Sequence, residues 1–180
     1  MRGIAATWAA LAAVAVPVAL AGSPHLKQES VPAYGVTLKV PASWLGIDPS
    51  RMKLNGVAYA VADPKATGGF HANLNLLVNP VPAGTTIRKW LLGDSAAKYL
   101  AIGTLRTVTI HGVTGLEYAS SRLEASGGVP LYTLEFAFNH DGKVYLFTYT
   151  APASAKGAFE PVFEASAATI AFVAAPPASA

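Results

Sequence analysis

The stretch that decides the fold is Leu131-Tyr132-Thr133-Leu134-Glu135-Phe136-Ala137-Phe138-Asn139-His140-Asp141-Gly142-Lys143-Val144-Tyr145-Leu146-Phe147-Thr148-Tyr149. Two runs of strand-forming residues flank Asn139–Lys143, and Asp141-Gly142 sits between them. The tightest hairpin turns need positive φ at their central residues, which Asp-Gly accepts, so the stretch predicts an antiparallel hairpin. Alternation puts Tyr145, Phe147 and Tyr149 on one face, with Leu146 and Thr148 opposite. Together with Tyr132, Phe136 and Phe138 these rings crowd one hairpin. They can be core and cross-strand packing. They can also be the wall of an apolar pocket for a lipid or small hydrophobic ligand. Helices over both faces would consume most of this surface, which favours the core.

The same periodicity extends outward. Gly35–Pro41 alternates and stops at a proline, Val57–Val61 is a second strand, and Asp63-Pro64 and Gly68-Gly69 bound a loop. In Phe70–Val78 the residues Phe70, Ala72, Leu74, Leu76 and Val78 share a face, with His71, Asn73, Asn75 and Leu77 opposite. The period then changes. Thr85 or Thr86 can cap a helix, Thr86–Ala101, whose stripe holds Ile87, Trp90, Ala97 and Leu100. Gly93 inside that stripe costs about 1 kcal/mol relative to Ala. Strands resume at Leu105–Ile110, turn at His111-Gly112, continue through Val113–Leu123 and turn again at Gly127-Gly128. Phe159, Val162, Phe163, Ala167 and Ile170 then follow helical spacing, with Pro161 read in the first turn. Strands joined by short turns pair antiparallel. The fold class is therefore α+β: an antiparallel β-sheet flanked by helices.

The ends carry different information. Arg2 followed by the Ala/Val/Leu run Ile4–Ala21, closing on Ala19-Leu20-Ala21, has the pattern of a secretory signal peptide cleaved before Gly22. The rival reading is a retained anchor, against which stand the alanine content and Pro17. Leu20-Ala21-Gly22-Ser23 matches a bacterial lipobox in which Ser23 replaces the cysteine. A serine hydroxyl is a far weaker nucleophile than a thiolate, so no lipid is expected. The expected organisation is a signal peptide over 1–21, a flexible N-terminal segment over 22–33, one α+β domain over 34–173 and a disordered tail over 174–180. The chain has no cysteine, which excludes disulfides and thiol chemistry. Thirteen basic residues against ten acidic ones, scattered, leave no electrostatic footprint for nucleic acid.

Three stretches resemble the PsbP-like superfamily, which takes in the photosystem II protein PsbP, the bacterial DcrB type and the actinobacterial LpqN-type lipoproteins. They are Tyr34–Trp44 (Tyr-Gly-Val-Thr-Leu-Lys-Val-Pro-Ala-Ser-Trp), Ile110–Tyr118 and Asp141–Pro152 running into the last helix. The resemblance spans the whole domain and implies an α/β/α sandwich around an antiparallel sheet. It implies accessory, binding or assembly roles and brings no common catalytic residues. The serine at position 23 departs from the lipoprotein branch.

Catalytic motifs are missing from the sequence. There is no Gly-x-Ser-x-Gly, His-Glu-x-x-His, EF-hand loop or phosphate-binding glycine loop. His71, His111 and His140-Asp141 could meet at a metal only through folding, and beside turn glycines an exposed polar residue is the ordinary reading. Glu117, Glu124 and Glu135 read as solvated strand positions. No catalytic, metal or cofactor residue is assigned, and no cofactor is expected. The expected role is a non-enzymatic envelope accessory protein that binds a protein partner or surface component. The alternative is a carrier or sensor with an apolar pocket under the helix Thr86–Ala101, lined by Trp90, Phe136 or Phe147. Surface recognition would fall on the loops Asp63–Gly69, His111 and Asn139–Lys143. Nucleic acid is not expected as a partner, nor a stable membrane anchor after cleavage. Intact mass of the chain recovered from the envelope fraction should match a start at Gly22 with no acyl group. A mass retaining residues 1–21 would make the leader an anchor.

Overall fold

The computed structural model describes residues 24–51, 56–93, 105–123 and 128–173. The expected signal peptide and tail, Gly127 and the expected helix beyond Gly93 lie outside them. The elements run β1 (Leu26–Val31), β2 (Val36–Pro41), β3 (Leu45–Gly46), β4 (Val57–Thr67) and β5 (Phe70–Pro80). Then follow α1 (Ile87–Gly93), β6 (Arg106–Ile110), β7 (Val113–Leu123), β8 (Pro130–His140), β9 (Lys143–Pro152), α2 (Lys156–Ala167) and β10 (Ala171–Phe172).

The aromatic hairpin is β8–β9. Asp141 and Gly142 turn it with φ of 48° and 70°, the doubly positive geometry that Asp-Gly accepts. It sits inside a seven-stranded antiparallel sheet of order β3-β4-β5-β9-β8-β7-β6. A separate three-stranded sheet, β1-β2-β10, is also antiparallel.

Alternation sorts the large sheet into two faces. Leu74, Leu76, Phe136, Phe138, Phe147 and Tyr149 point to one side and are buried against Val36, Leu38 and Val40 of β2 and Phe163 of α2. On the opposite side Leu91 of α1 packs with Tyr118 and Ala137, flanked by Trp90, Leu116 and Leu146. β8 is thus buried on both faces from Leu131 to Phe138. Gly115 of β7 is required by close approach: a Cβ there would lie 2.4 Å from the Ala137 carbonyl oxygen and 2.5 Å from the Phe138 ring.

Three expectations need correction. Leu26–Val31, read as part of a flexible segment over 22–33, is a strand paired residue for residue with β2. Its polar run hides it, because the strand lies at a sheet edge where Lys27 bonds the Trp44 carbonyl (2.9 Å) and pairs with Glu29 (3.1 Å). With β2 and β10 it makes up the smaller of the two antiparallel sheets of the α+β fold. The expected loop between Asp63-Pro64 and Gly68-Gly69 is mostly strand. β4 continues to Thr67 through an irregular register between Ala62 and Ala66, which accommodates Pro64. Pro161 lies inside α2, not in its first turn. The helix starts earlier because Lys156 and Glu160 pair across one turn (3.5 Å) and Glu160 accepts a hydrogen bond from Tyr132 (2.6 Å).

β10 pairs with β2 only at Val36 and Thr37, which leaves the Lys39 backbone without a strand partner on that side. The end of α2 supplies one. Lys39 N–H donates to Thr169 Oγ1 (2.7 Å), and the Ser166 hydroxyl donates to the Lys39 carbonyl. Ser166 has one proton, so the Tyr149 hydroxyl must donate to Ser166 Oγ (3.0 Å). Ser166→Ala would leave a buried Tyr149 hydroxyl and the Lys39 carbonyl unpartnered, and should cost about 1–3 kcal/mol. Urea denaturation checks this. A loss below about 0.5 kcal/mol would mean that the bonded chain contributes little.

A candidate binding cleft at one end of the sheet

The turns place the candidate loops at two opposite ends. Val113 begins β7 where His140 ends β8, so the turns at His111-Gly112 and Asp141-Gly142 share one end of the large sheet. The Gly68-Gly69 turn is at the other end, beside Pro152. The loops singled out from sequence are therefore not one site. His111 joins a groove beside α2. His140 is held by stacking on Phe172 (ring centroids 4.6 Å apart) and lies 3.5 Å from Asp141. His71 Nδ1 is 2.8 Å from the Asp63 carbonyl oxygen. Among the described residues no three His, Asp or Glu side chains gather in a metal-binding group.

What the fold does build at the His111 end is a cleft between the last strands and α2. Val108, Ile110 and Phe136 form its floor, Glu117 and Glu164 line it, and it has a volume of about 350 Å³. A second groove of about 460 Å³, lined by Lys39, His111 and Thr169, adjoins it at Ala168, which borders both. The first is lined by carboxylates and the second carries Lys39.

Two carboxylates here are engaged. Glu117 accepts a hydrogen bond from Arg106 across the β6–β7 pair; its side chain is 11 % exposed against 63 % for Arg106. The Glu117 hydrogen bond, then its charge, raises the Arg106 pKa above its ordinary value. Glu160 pairs with Lys156, whose ammonium also sits 4.9 Å above the Tyr132 ring. Glu164 is exposed and has no ion pair among the described residues.

Sequence reasoning missed this cleft and misread its glutamate. Glu117 and Glu135 are buried at 8 % and 4 %, not solvated. A signal for Glu117 existed: its strand-mates on that face are Gly115 and Ala119, small residues that leave room for a carboxylate. Glu135 accepts a hydrogen bond from Tyr118 on the α1 face. The three rings expected to line a pocket under the first helix are not brought together. Trp90 packs on the α1 face, whereas Phe136 and Phe147 belong to the opposite core. Phe136 alone of the three lines the α2 cleft.

No family model matches the chain, and no curated protein does. Solved structures do. Cyanobacterial PsbP (CyanoP) from Synechocystis sp. PCC 6803 superposes with a TM-score of 0.59 at 15 % identity, over 85 % of this chain and 95 % of that one. The fold is PsbP-like. The Ran-binding protein Mog1p of Saccharomyces cerevisiae shares it, with a TM-score of 0.57 at 8 % identity over 84 % of this chain and 97 % of its own. So does LpqN of Mycobacterium tuberculosis, a protein involved in cell envelope biogenesis, at 0.55 and 9 % over 77 % and 83 %. These identities establish a common PsbP-like architecture and leave the chemistry of the cleft to this chain's own residues.

Burial raises the Tyr132 pKa above its ordinary value, helped by the hydrogen bond to Glu160 and its charge. A phenol that keeps its proton longer when folded stabilises the protein fully below pH ~10, and that contribution is lost as pH rises toward the folded value. Tyr132→Phe should cost about 1 kcal/mol at neutral pH and flatten the fall in stability above pH ~10. Urea unfolding at pH 8, 10 and 11 reads both. An unchanged alkaline slope would place the ionising phenol elsewhere.

Proposed function

We propose that this chain is a non-enzymatic accessory protein, exported to the cell envelope, that recognises a partner protein or surface component. The observation that carries the reading is that the interior of the described domain is filled. Phe138, Phe147 and Tyr149 are fully buried, and Tyr132, Phe136 and Tyr145 nearly so. The hairpin that might have walled a ligand cavity is core, and recognition is left to open grooves at the surface. Two things support export: the leader expected over 1–21 and the envelope role of LpqN, which shares the fold. Protein binding is supported by Mog1p, a Ran-binding protein of the same architecture. No helix among the described residues is long and apolar enough to cross a membrane.

A second reading, a carrier or sensor for a small apolar ligand, rests on the cleft floored by Val108, Ile110 and Phe136. Its volume is within the range of small-molecule sites, but Glu117 and Glu164 make it a poor host for a purely apolar molecule. Native mass spectrometry of the chain from its own host separates the two. The bare mass, together with protein adducts after chemical cross-linking in cells, is the expected result. A lipid or metabolite that leaves only on denaturation would overturn partner recognition in favour of the carrier.

A further inference from the structure

β6 ends the large sheet, and among the described residues no backbone group bonds to its outer side. The phase of its ladder follows from its turn. His111 and Gly112 have φ of 47° and 81°, a two-residue hairpin turn that makes Ile110 and Val113 a hydrogen-bonded pair. Bonded and non-bonded pairs alternate in an antiparallel ladder. Ile110, Val108 and Arg106 therefore direct their N–H and C=O groups to β7, and Thr107 and Thr109 direct theirs outward. Among the described residues the strand lacks the usual edge protection. It has no proline and no bulge in its five pairs, and its one charge, Arg106, is bonded to Glu117.

The two faces of this edge differ in a useful way. On one side lies the cleft with Val108, Ile110 and Glu164, which has no ion pair among the described residues. On the other lies a recess of about 230 Å³ bounded by Thr107, Leu116 and Ile87. Side chains of an incoming strand alternate, so one set would enter the acidic cleft and the other the apolar recess.

We propose that β6 receives an extended segment of a partner protein by strand addition. The segment bears a Lys or Arg that meets Glu164 and an apolar side chain next to it for the opposite recess. This deepens the partner-binding reading above and rests on it.

The test uses the full chain in its host, with a photoreactive benzophenone amino acid at Thr107 and, as a control at the far end of the sheet, at Lys65. Thr109→Pro removes an outward N–H while leaving the pairs with β7 intact, since edge strands tolerate proline. Thr109→Ala keeps that N–H. The expected result is a cross-link from position 107 to a peptide of another protein containing Lys or Arg. It should survive Thr109→Ala and fall at least five-fold with Thr109→Pro or Glu164→Lys, at melting temperatures near that of the wild type. Thr107→Ala in place of the probe, assayed by chemical cross-linking, serves if the bulky probe perturbs folding. Adducts undiminished by Thr109→Pro and Glu164→Lys would overturn strand addition and leave the partner reading standing. Adducts only to a second copy of this chain would overturn the assigned occupant. No protein adduct from any position or from chemical cross-linking would overturn both.

Discussion

The structure depends on how the backbone of Lys39 is satisfied. β2 is the middle strand of the small sheet, yet its neighbour β10 spans only Ala171–Phe172. Past that point the N–H and C=O of Lys39 would have no partner within the sheet, and the carbonyl is partly buried, where an unpaired backbone group costs as much as a lost hydrogen bond. Thr169 and Ser166 take the place of the missing strand, one accepting from the N–H and the other donating to the carbonyl. Because Tyr149 donates to the same Ser166, the chain of bonds runs from the small sheet through α2 to β9 at the centre of the large one. Three elements that share no backbone ladder are thereby fixed in one arrangement. The cleft inherits its shape from this, since Ala168 and Glu164 stand on the helix that Ser166 and Thr169 hold.

Burial of β8 and β9 on both faces has a functional consequence. Such strands need helices or sheets on either side, and here β2 and α2 cover one face while α1 covers part of the other. Along the α1 face the register aligns Ser120, Thr133 and Thr150, with the Ser120 and Thr133 hydroxyls bonded to each other. These polar groups are buried at 5 %, 0 % and 1 %. They act as cross-strand pairs that specify register, because a one-residue slip would put them among the aromatic rings. A domain whose middle is committed to packing on both sides has its ends and edges left for recognition.

The sequence made the strand pattern legible because alternation is a strong local signal. The faces of Phe70–Val78 and of Tyr145–Tyr149, the bounds Val113–Leu123 and both two-residue turns follow from it. It failed where tertiary contacts override composition. Lys27-Gln28-Glu29-Ser30 has nothing apolar to show, yet it forms a strand because β2 offers an edge and Trp44 a carbonyl. α2 begins five residues before its proline because a tyrosine on a distant strand holds Glu160. The cleft was invisible for the same reason. Glu117 and Glu164 are separated by 47 positions and line one cleft only through the packing of α2 on β8 and β9. Glu117 could have been suspected from Gly115 and Ala119 beside it; for Glu164 there was no local signal.

The same contrast explains why structures only 8–15 % identical to this chain share its fold. A core requires apolar volume at alternating positions, and many residues satisfy that requirement without changing the architecture. Recognition has no such tolerance. A groove whose acidic wall rests on one carboxylate would change its preference when that one residue changes, and the core would not register the loss. The PsbP-like architecture therefore supplies a filled interior and a set of edges. In the proposed reading, what those edges bind is set by a few side chains around β6 and the end of α2, where Arg106 bonds Glu117 and Glu164 is exposed.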